Sequence, residues 1–485
     1  MDAFQQYVID PVSNFLWTYV LVYVLLGVGV YFGIRTRFVQ VRLLGRMVRQ
    51  VAASRSGSEG GISSFQAFCV GLASRVGTGN IAGVAIALTL GGPGAIFWMW
   101  VVALVGMATA VIEATLAQLF KVPGPDGSFR GGPAFYIERG LGSRRGGILF
   151  AVLLIFTFGI AFNMVQANTI ADVLDSAHGV DPAWSAIGLM ALTAPVVFGG
   201  VRRIARVAEF VLPAMALGYV LLALVIIALN IGAVGTVLGT IVTAAFGVGE
   251  AAAGITGGLV AALLNGAKRG LFSNEAGMGS APNAAATATT SHPVKQGLIQ
   301  SLGVFVDTII VCSATAFIIL FAGPDVYSPG ETTEGASLTQ EAVAHELGAG
   351  LAPVMTVLIF VFAFSSVLGN YSYAEVNMSF LRARRVALLV FRVVVVAVVG
   401  LGAVLDLVVV WALADVAMGL MALVNLVAIV MLGRWALGAL RDFERQLRAG
   451  QDPVFRTDDN PDLPGPVVDS VWSDSSEHRP APTTV

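Results

Sequence analysis

Apolar runs of about 20 residues, long enough to cross the hydrocarbon core of a bilayer as a helix, recur along this chain between short polar turns. Eleven are visible, near residues 14–34, 64–90, 94–120, 146–173, 183–199, 207–232, 251–290, 296–322, 351–380, 386–405 and 408–433. Two differ from the rest. Glycine and polar residues interrupt the second run between Gly71 and Gly83 (GLASRVGTGNIAG) and the seventh between Asn265 and Pro282 (NGAKRGLFSNEAGMGSAP). A helix that opens inside lipid exposes N–H and C=O groups that only protein, ions or a ligand can satisfy. Paired interruptions therefore predict a transport site near mid-membrane.

With the first run set aside, the remaining ten form two sets of five, each opening with an interrupted helix. Five is odd, so the second set crosses the membrane in the opposite sense to the first. The pattern predicts an all-α polytopic membrane protein of eleven transmembrane helices, a five-plus-five inverted repeat after one extra N-terminal helix. Residues 1–60 would hold that helix and a basic segment, 61–235 the first repeat and 236–440 the second. Residues 441–485 are rich in Pro, Asp and Ser and are expected to form a disordered, dispensable tail. Similarity between the halves is confined to the breaks, so the repeat rests on hydropathy and parity.

Composition closes off the soluble classes. With 56% hydrophobic and 12% charged residues, and a mean hydropathy of +0.81, the chain lacks the polar surface of a globule of 485 residues. The net charge of -2 matters less than where the cations lie. The segments near 91–93, 174–182, 233–250, 323–350 and 406–407 contain neither Lys nor Arg, whereas the alternate segments hold Arg35 to Arg55, Lys121 to Arg145, Arg202 to Arg206, Lys295 and Arg382 to Arg385. This asymmetry places the N-terminus outside and the C-terminus in the cytoplasm of a multi-pass cell-membrane protein, and nucleic acid is not an expected partner. Gly323 to Gly350, with Asp325, Glu331, Glu334, Glu341 and Glu346, reads as a solvated external cap, the alternative being a cation-attracting vestibule. Cys69 and Cys312 fall in apolar runs and read as small buried hydrophobes. The acidic N-terminal stretch has no basic n-region, so a cleaved signal peptide is not expected.

The breaks carry the candidate chemistry. In Val76-Gly77-Thr78-Gly79-Asn80 two glycines let the backbone turn and approach a small solute. Free N–H groups and the start of the following half-helix suit a carboxylate, while carbonyls ending the preceding half-helix near Ala73 suit a cation. One break can thus hold a zwitterion and a metal ion together. The same reasoning applies to Ser273-Asn274-Glu275-Ala276-Gly277-Met278-Gly279, against the alternative that these glycines serve only close helix packing. Gln166 and Asn168 in the fourth apolar run, and Ser365, Ser366 and Asn370 in the ninth, offer oxygen ligands for an alkali cation or ordinary interhelical hydrogen bonds. Four cations lie within apolar runs, Arg75, Lys268, Arg269 and Arg392. They require partners, for which Glu113, Asp307 and Glu275 are candidates, either in a gate or as proton relays. No GxxxxGK[ST], GxSxG or HExxH occurs and the four histidines are scattered, so an enzyme is not expected.

At VGTGNIAGVAIAL, GGPGAIFWMW, NMVQAN, KRGLFSNEAGMGSAPNAAA and DTIIVCS, the chain resembles the alanine or glycine:cation symporter family, across about residues 14 to 440. The resemblance implies a LeuT-type inverted repeat in the last ten helices, and sodium-driven uptake of small neutral amino acids such as alanine and glycine, with no cofactor beyond the coupling ion. It implies substrate contacts at Gly77, Thr78, Gly79, Asn80, Gln166, Ser273, Asn274, Gly277, Ser366 and Asn370, with the Thr78 and Gly79 amides on the carboxylate. By likeness to the wider superfamily, a sodium ion would sit between the carbonyls of Ala73 and Val76 and the hydroxyls of Ser365 and Ser366. From Ser365 to Glu375 the chain reads SSVLGNYSYAE, where family members commonly read ST-x-LGW-x-YYGE. Asn370 in place of tryptophan implies a roomier, more polar pocket and keeps a larger substrate such as glutamine in play. Proton coupling, and an amino acid sensor or channel that does not concentrate its ligand, are the remaining alternatives.

Overall fold

A computed structural model describes residues 5–54, 62–124, 128–199, 201–247, 258–330, 335–458, 460–465, 467 and 471–473. Seventeen helices organise it: α1 (Asp10–Arg35), α2 (Leu44–Ala53), α3 (Ser64–Arg75), α4 (Thr78–Gly91), α5 (Gly94–Leu119), α6 (Pro133–Leu141), α7 (Arg144–His178), α8 (Pro182–Val197), α9 (Val201–Leu229), α10 (Val234–Ala245), α11 (Gly258–Asn274), α12 (Ala281–Thr287), α13 (Pro293–Asp325), α14 (Ala336–Leu347), α15 (Ala352–Phe380), α16 (Arg385–Val404) and α17 (Leu407–Arg448). Among the described residues, eight helices are long and apolar enough to span a membrane, and the pair Pro213–Leu229 and Ile231–Ala245, bent by 80°, makes a ninth candidate. A single two-stranded ribbon, β1 (Val122–Pro123) antiparallel to β2 (Phe129–Arg130), sets Val122 opposite Arg130.

Burial sorts the helices. The most apolar stretch of the α3–α4 pair is 100% buried, whereas that of α16 is 33% buried, so the interrupted helix forms the centre and α16 faces lipid. Small residues bring the backbones together: a methyl group on Gly266 would lie 2.5 Å from the carbonyl oxygen of Ala95, and one on Gly402 would lie 2.5 Å from Cα of Met164. Lipid is as apolar as leucine, so packing of this closeness, not exclusion from water, holds such helices together.

Both expected interruptions are present, and narrower than their sequence signals. The first spans Val76 and Gly77 only, with α4 starting at Thr78 rather than near Asn80 and α3 ending at Arg75 rather than near Ala73. The second runs over residues 275–280 between α11 and α12, and positive φ values at Glu275 (58°), Gly277 (87°) and Gly279 (85°) turn the chain there. The start of the seventh apolar run, residues 251–257, lies outside the described residues.

Three expectations are corrected. The segment 233–250, read as a loop, contains helix α10, whose last residue Ala245 accepts a 3.2 Å hydrogen bond from Trp98 Nε1. The segment 323–350, read as a solvated cap, contains helix α14, with Leu338, Thr339, Gln340, Ala342 and Val343 buried against the bundle. Glu341 and His345, one turn apart, lie on its exposed side, which a count of acids hides; Glu331 and Glu334 lie outside the described residues.

The third correction is the tail. α17 runs on to Arg448, and the chain beyond it packs back: Phe455 N–H donates to Ser291 O at 2.9 Å, Asp452 pairs with Lys295 at 2.7 Å, and Trp472 Nε1 donates to Gln118 O at 2.9 Å. Lys121 lies 4.8 Å from the Trp472 ring centre and 4.0 Å from that of Phe129, its Nζ donating to Ala288 O. Widely spaced aromatics in a polar, proline-rich stretch give no periodic signal, so the composition hides this docking. Residues 474–485 lie outside the described residues.

Two predictions follow from this docked end. Trp472→Ala lowers the stability read by thermal unfolding by roughly 3 kcal/mol, while Trp472→Phe, which keeps the ring and loses the N–H bond, costs about 1 kcal/mol; a dispensable tail would show neither effect. Burial holds the His292 imidazole below its ordinary range, against the opposing pull of Asp442. The neutral ring's contribution is therefore complete above its unfolded value of 6.5 and is lost as pH falls through the lower folded value. Unfolding midpoints measured from neutral to acid pH decline as the pH falls from 6.5 towards the lower folded value, and His292→Gln removes this part of the decline.

Candidate functional site

The first half-helix starts with a capping box: Ser63 Oγ accepts from Gln66 N–H and Gln66 Oε1 accepts from Ser63 N–H, both at 3.1 Å. It ends where Val76 turns extended. Gly77 is imposed by neighbours, since a Cβ there would fall 2.0 Å from Ser366 Oγ and 3.3 Å from Gln166 Oε1. At Gly79 a Cβ would meet Phe272 at 2.9 Å and the Ser273 Cα at 3.1 Å, so the two broken helices touch backbone to backbone. Alanine at Gly77 would displace the Ser366 side chain, and alanine at Gly79 would press on Phe272 and the Ser273 backbone.

Side chains satisfy the opened main chain. Gly77 N–H donates to Asn80 Oδ1 at 2.9 Å and Thr78 N–H to Gln166 Oε1 at 3.2 Å, while Ser366 Oγ donates to Ala73 O at 2.9 Å. The Thr78 hydroxyl is buried with no hydrogen-bond partner among the described residues. Thr78, Asn80, Gln166, Ser273, Ser366 and Asn370 are each at most 2% exposed, which makes this an enclosed polar island.

A carboxylate stands beside it. Asp307 accepts from Asn80 Nδ2 at 2.6 Å, Ser273 Oγ at 2.7 Å and Thr308 Oγ1 at 2.8 Å, joining the first break to the end of α11 and to α13. Three neutral donors from three helices fit an acid that must remain within the bundle. On the second break, Glu275 accepts from Ser74 Oγ at 2.9 Å and Ser280 Oγ at 2.5 Å. Glu113 accepts from Gly277 N–H at 3.1 Å and from Asn425 Nδ2 at 2.9 Å, and Asn425 in turn receives the Tyr136 hydroxyl.

The residues expected to form one site fall into three groups. Gly77, Thr78, Gly79, Asn80, Gln166, Ser273 and Ser366, with Ala73, surround the first break. Asn370 sits one layer away, its amide tied to Ser74 Oγ at 2.9 Å and Asn163 Oδ1 at 3.1 Å. Ser365 Oγ donates back to Phe362 O at 2.8 Å on its own helix. Asn274 Oδ1 accepts from Ala276 N–H, a local turn, and Gly277 is engaged by Glu113 and Asn425 beneath Leu426. Val76 N–H closes the last turn of α3 onto Leu72 O at 2.7 Å.

The buried cations meet partners other than the candidate acids. Arg75 donates to the carbonyl (3.1 Å) and side-chain oxygen (2.5 Å) of Gln300, not to Glu113, Glu275 or Asp307. Arg269 pairs with Asp415 at 2.5 Å, with Lys268 at 3.9 Å from the same oxygen, and Arg392 pairs with Glu375 at 3.3 Å. Arg269 also lies 4.5 Å from the Trp411 ring centre; Trp411, Phe272 and Phe162 follow in contact at 4.5 Å and 4.4 Å, ending on the first break. Asp415, Asn425 and Asn163 escaped sequence reasoning, although a lone polar residue in an apolar run (WALADVAMG, ALVNLVAIV) is itself a signal.

The first break is thus a broken helix whose main-chain dipoles are met by an amide, hydroxyls and a neighbouring carboxylate. A sequence profile of the sodium:alanine symporter family matches residues 1–457. The chain belongs to the sodium:alanine symporter family. Its members are transporters and not enzymes. A probable sodium/glutamine symporter, GlnT, of Bacillus subtilis (strain 168) is 48% identical over 462 residues, covering 94% of this chain and 95% of the relative. The sodium/alanine symporter AgcS of Methanococcus maripaludis is 40% identical over 432 residues, covering 87% and 94%. Among solved structures, a Na+-coupled sialic acid symporter in a substrate-bound, outward-open state matches with a TM-score of 0.50 at 15% identity, over 91% of this chain and 93% of that one. At that identity the likeness establishes a LeuT-type fold and says nothing of the cargo.

The buried Arg269–Asp415 pair makes a direct prediction for this symporter-family chain. Arg269→Gln or Asp415→Asn leaves a buried charge without its main partner and costs about 3 kcal/mol in thermal unfolding, and the double variant recovers much of the loss. Equal, additive losses would mean that the pair is not coupled.

Proposed function

We propose that this protein is a sodium-coupled symporter that carries a small neutral amino acid such as alanine or glycine into the cell by alternating access. The observation that carries this is the meeting of the two broken helices at Gly79 and Ser273, with unpaired or exchangeable polar groups at Thr78, Gln166 and Ser366. A substrate carboxylate would take the Thr78 N–H over from Gln166 and add the Gly79 N–H, aided by the positive end of α4. The Ala73 and Val76 carbonyls with the Ser365 and Ser366 hydroxyls would supply hard oxygen ligands for sodium. Ser366 Oγ, which contacts Ala73 O at 2.9 Å, would turn its lone pairs to the ion. Ser273, Asn274, Gly277 and Asn370 would frame the far side of the pocket directly or through their neighbours.

In the same reading, eleven helices span the membrane with the N-terminus outside, and the last ten form the inverted repeat. Arg269, Asp415, Trp411 and Phe272 then form the external gate, since α11 approaches the break from the face opposite the arginine-rich end of α17. Each sodium charge moved inward releases roughly 2.3 kcal/mol per 100 mV of membrane potential, which supplies the concentrating work.

Glutamine is the second reading. It is favoured by Asn370 where the family commonly has tryptophan, and by similarity to a relative whose name includes glutamine.

Uptake into proteoliposomes tests both. Alanine, glycine, serine and glutamine are compared under a sodium gradient and after replacement of sodium by choline. The expected result is sodium-dependent uptake, a roughly tenfold higher sodium requirement in Ser366→Ala, and loss of transport without loss of folding when Gly77→Ala displaces Ser366. Uptake that persists in choline and collapses with the pH gradient overturns sodium coupling, and binding without counterflow overturns symport. If Asn370→Trp leaves the order of preference among the four substrates unchanged, the glutamine reading fails.

A further inference from the structure

The basic end of the molecule carries a feature that transport does not use. Between the end of α1, the turn after it and the last turns of α17 lies a cavity of ≈ 540 Å³ whose walls include Arg35, Arg37, Arg42, Arg441, Arg445 and Arg448. A second cavity of ≈ 200 Å³ shares Arg35 and Arg441 with it and adds Arg434. The carboxylates lining the two are Glu444 and Asp462. Glu444 pairs with Arg42 at 2.6 Å and Arg448 at 3.5 Å, and Asp462 with Arg445 at 2.6 Å and Arg441 at 3.7 Å. Arg35, Arg37 and Arg434 pair with no carboxylate among the described residues, so seven arginines face two acids in one hollow.

Depth identifies the ligand. The apolar run of α1 ends at Ile34 and that of α17 at Gly433, so Arg35 and Arg434 stand where hydrocarbon gives way to phosphate. The floor is apolar, Leu437 and Leu440, each 5% exposed. Beside the mouth, Ile34, Phe38 and Val41 present bare apolar surface, 59%, 55% and 71% exposed, as acyl chains require. The turn is also held in an unfavourable shape: Arg37 and Phe38 have φ of 55° and 53°, although both carry side chains. That turn points Arg37 into the hollow and leaves Phe38 outside it. Arg42 fastens it by donating to Thr36 O at 3.0 Å and Arg37 O at 3.4 Å.

We propose that this hollow is a binding site for the headgroup of an anionic phospholipid, its phosphodiester held by Arg35, Arg37 and Arg434 and its chains lying along Ile34, Phe38 and Val41. Guanidinium forks match phosphate oxygens bidentately, and basic hollows between helices at this depth suit acidic headgroups. The lipid would join the extra N-terminal helix to the last helix of the bundle.

The test uses the full-length purified transporter, with bound lipid counted by native mass spectrometry and stability followed by thermal unfolding during titration with phosphatidylglycerol, phosphatidylcholine or inorganic phosphate. Phosphatidylglycerol is expected to be retained and to stabilise, with neither phosphatidylcholine nor inorganic phosphate doing so. In R35Q/R37Q/R434Q the apparent affinity for phosphatidylglycerol falls by roughly 100-fold, from three charges each contributing about a factor of five. Arg434→Gln alone gives a smaller fall, which keeps the test decisive if the triple variant folds poorly. R382Q/R384Q/R385Q, equal in charge and on the same face but outside the hollow, keeps the wild-type affinity. Equal losses in the two triple variants would reduce the effect to the general field of the basic face, and stabilisation by inorganic phosphate alone would assign the hollow to a free anion; either result overturns the proposal.

Discussion

Everything in this molecule is arranged around the obligation to satisfy main-chain hydrogen-bonding groups where no water can do so. Opening α3–α4 at two residues and α11–α12 at six frees donors and acceptors in the middle of the most deeply buried elements. Gln166, Asn80, Ser366 and Glu113 are the side chains that answer them, and each is in turn fixed by a helix of the surrounding bundle. The break is therefore stable without being inert, because a partner held by one 3 Å hydrogen bond can be exchanged for a ligand at modest cost.

The two sides of that island are tied by different chemistry. Towards α1 and the start of α17, the Arg269–Asp415 pair lies over Trp411, Phe272 and Phe162, a charged lock upon an aromatic stack. Towards the arginine-rich face the ties are largely main-chain. Ile62 bridges to Ala288, Thr289 N–H donates to Ile62 O at 3.0 Å, and Gln118 and Lys121 hold the carbonyls of Ala285 and Ala288. The start of α3 and the end of α12 are thus bound together, and the docked segment carrying Phe455 and Trp472 covers that joint. Movement of one half-helix on this face must disturb the other and the tail with it.

The hydropathy of the chain carried the bundle, the two interruptions and their glycines, because a helix in lipid has few alternatives and a Gly–polar cluster within an apolar run is costly unless it serves a site. Thr78, Gln166, Ser273 and Ser366 were legible for the same reason. The partners were not. Three acids were open as partners of the buried cations, yet Arg75 hydrogen-bonds Gln300 and Arg269 meets Asp415, 146 residues away. Burial of a charge demands a partner without saying which helix brings it. Helix α10 was missed because its apolar stretch is 12 residues long, too short for a window tuned to spanning segments, and α14 and the docked tail because their apolar residues are interspersed with polar ones.

Sequence alone thus determined that the chain is a multi-pass helical membrane protein, where two of its apolar runs open, and the family to which its motifs belong, since each depends on local composition set against a uniform apolar solvent. Tertiary structure alone decided which oxygen meets each freed N–H, which acid neutralises each arginine, and that Asn370 braces Ser74 and Asn163 rather than standing free. Those outcomes depend on the rotation and depth of helices that lie far apart in the chain. They are fixed by close packing at small residues such as Gly79, Gly266 and Gly402, and no one-dimensional pattern encodes that geometry.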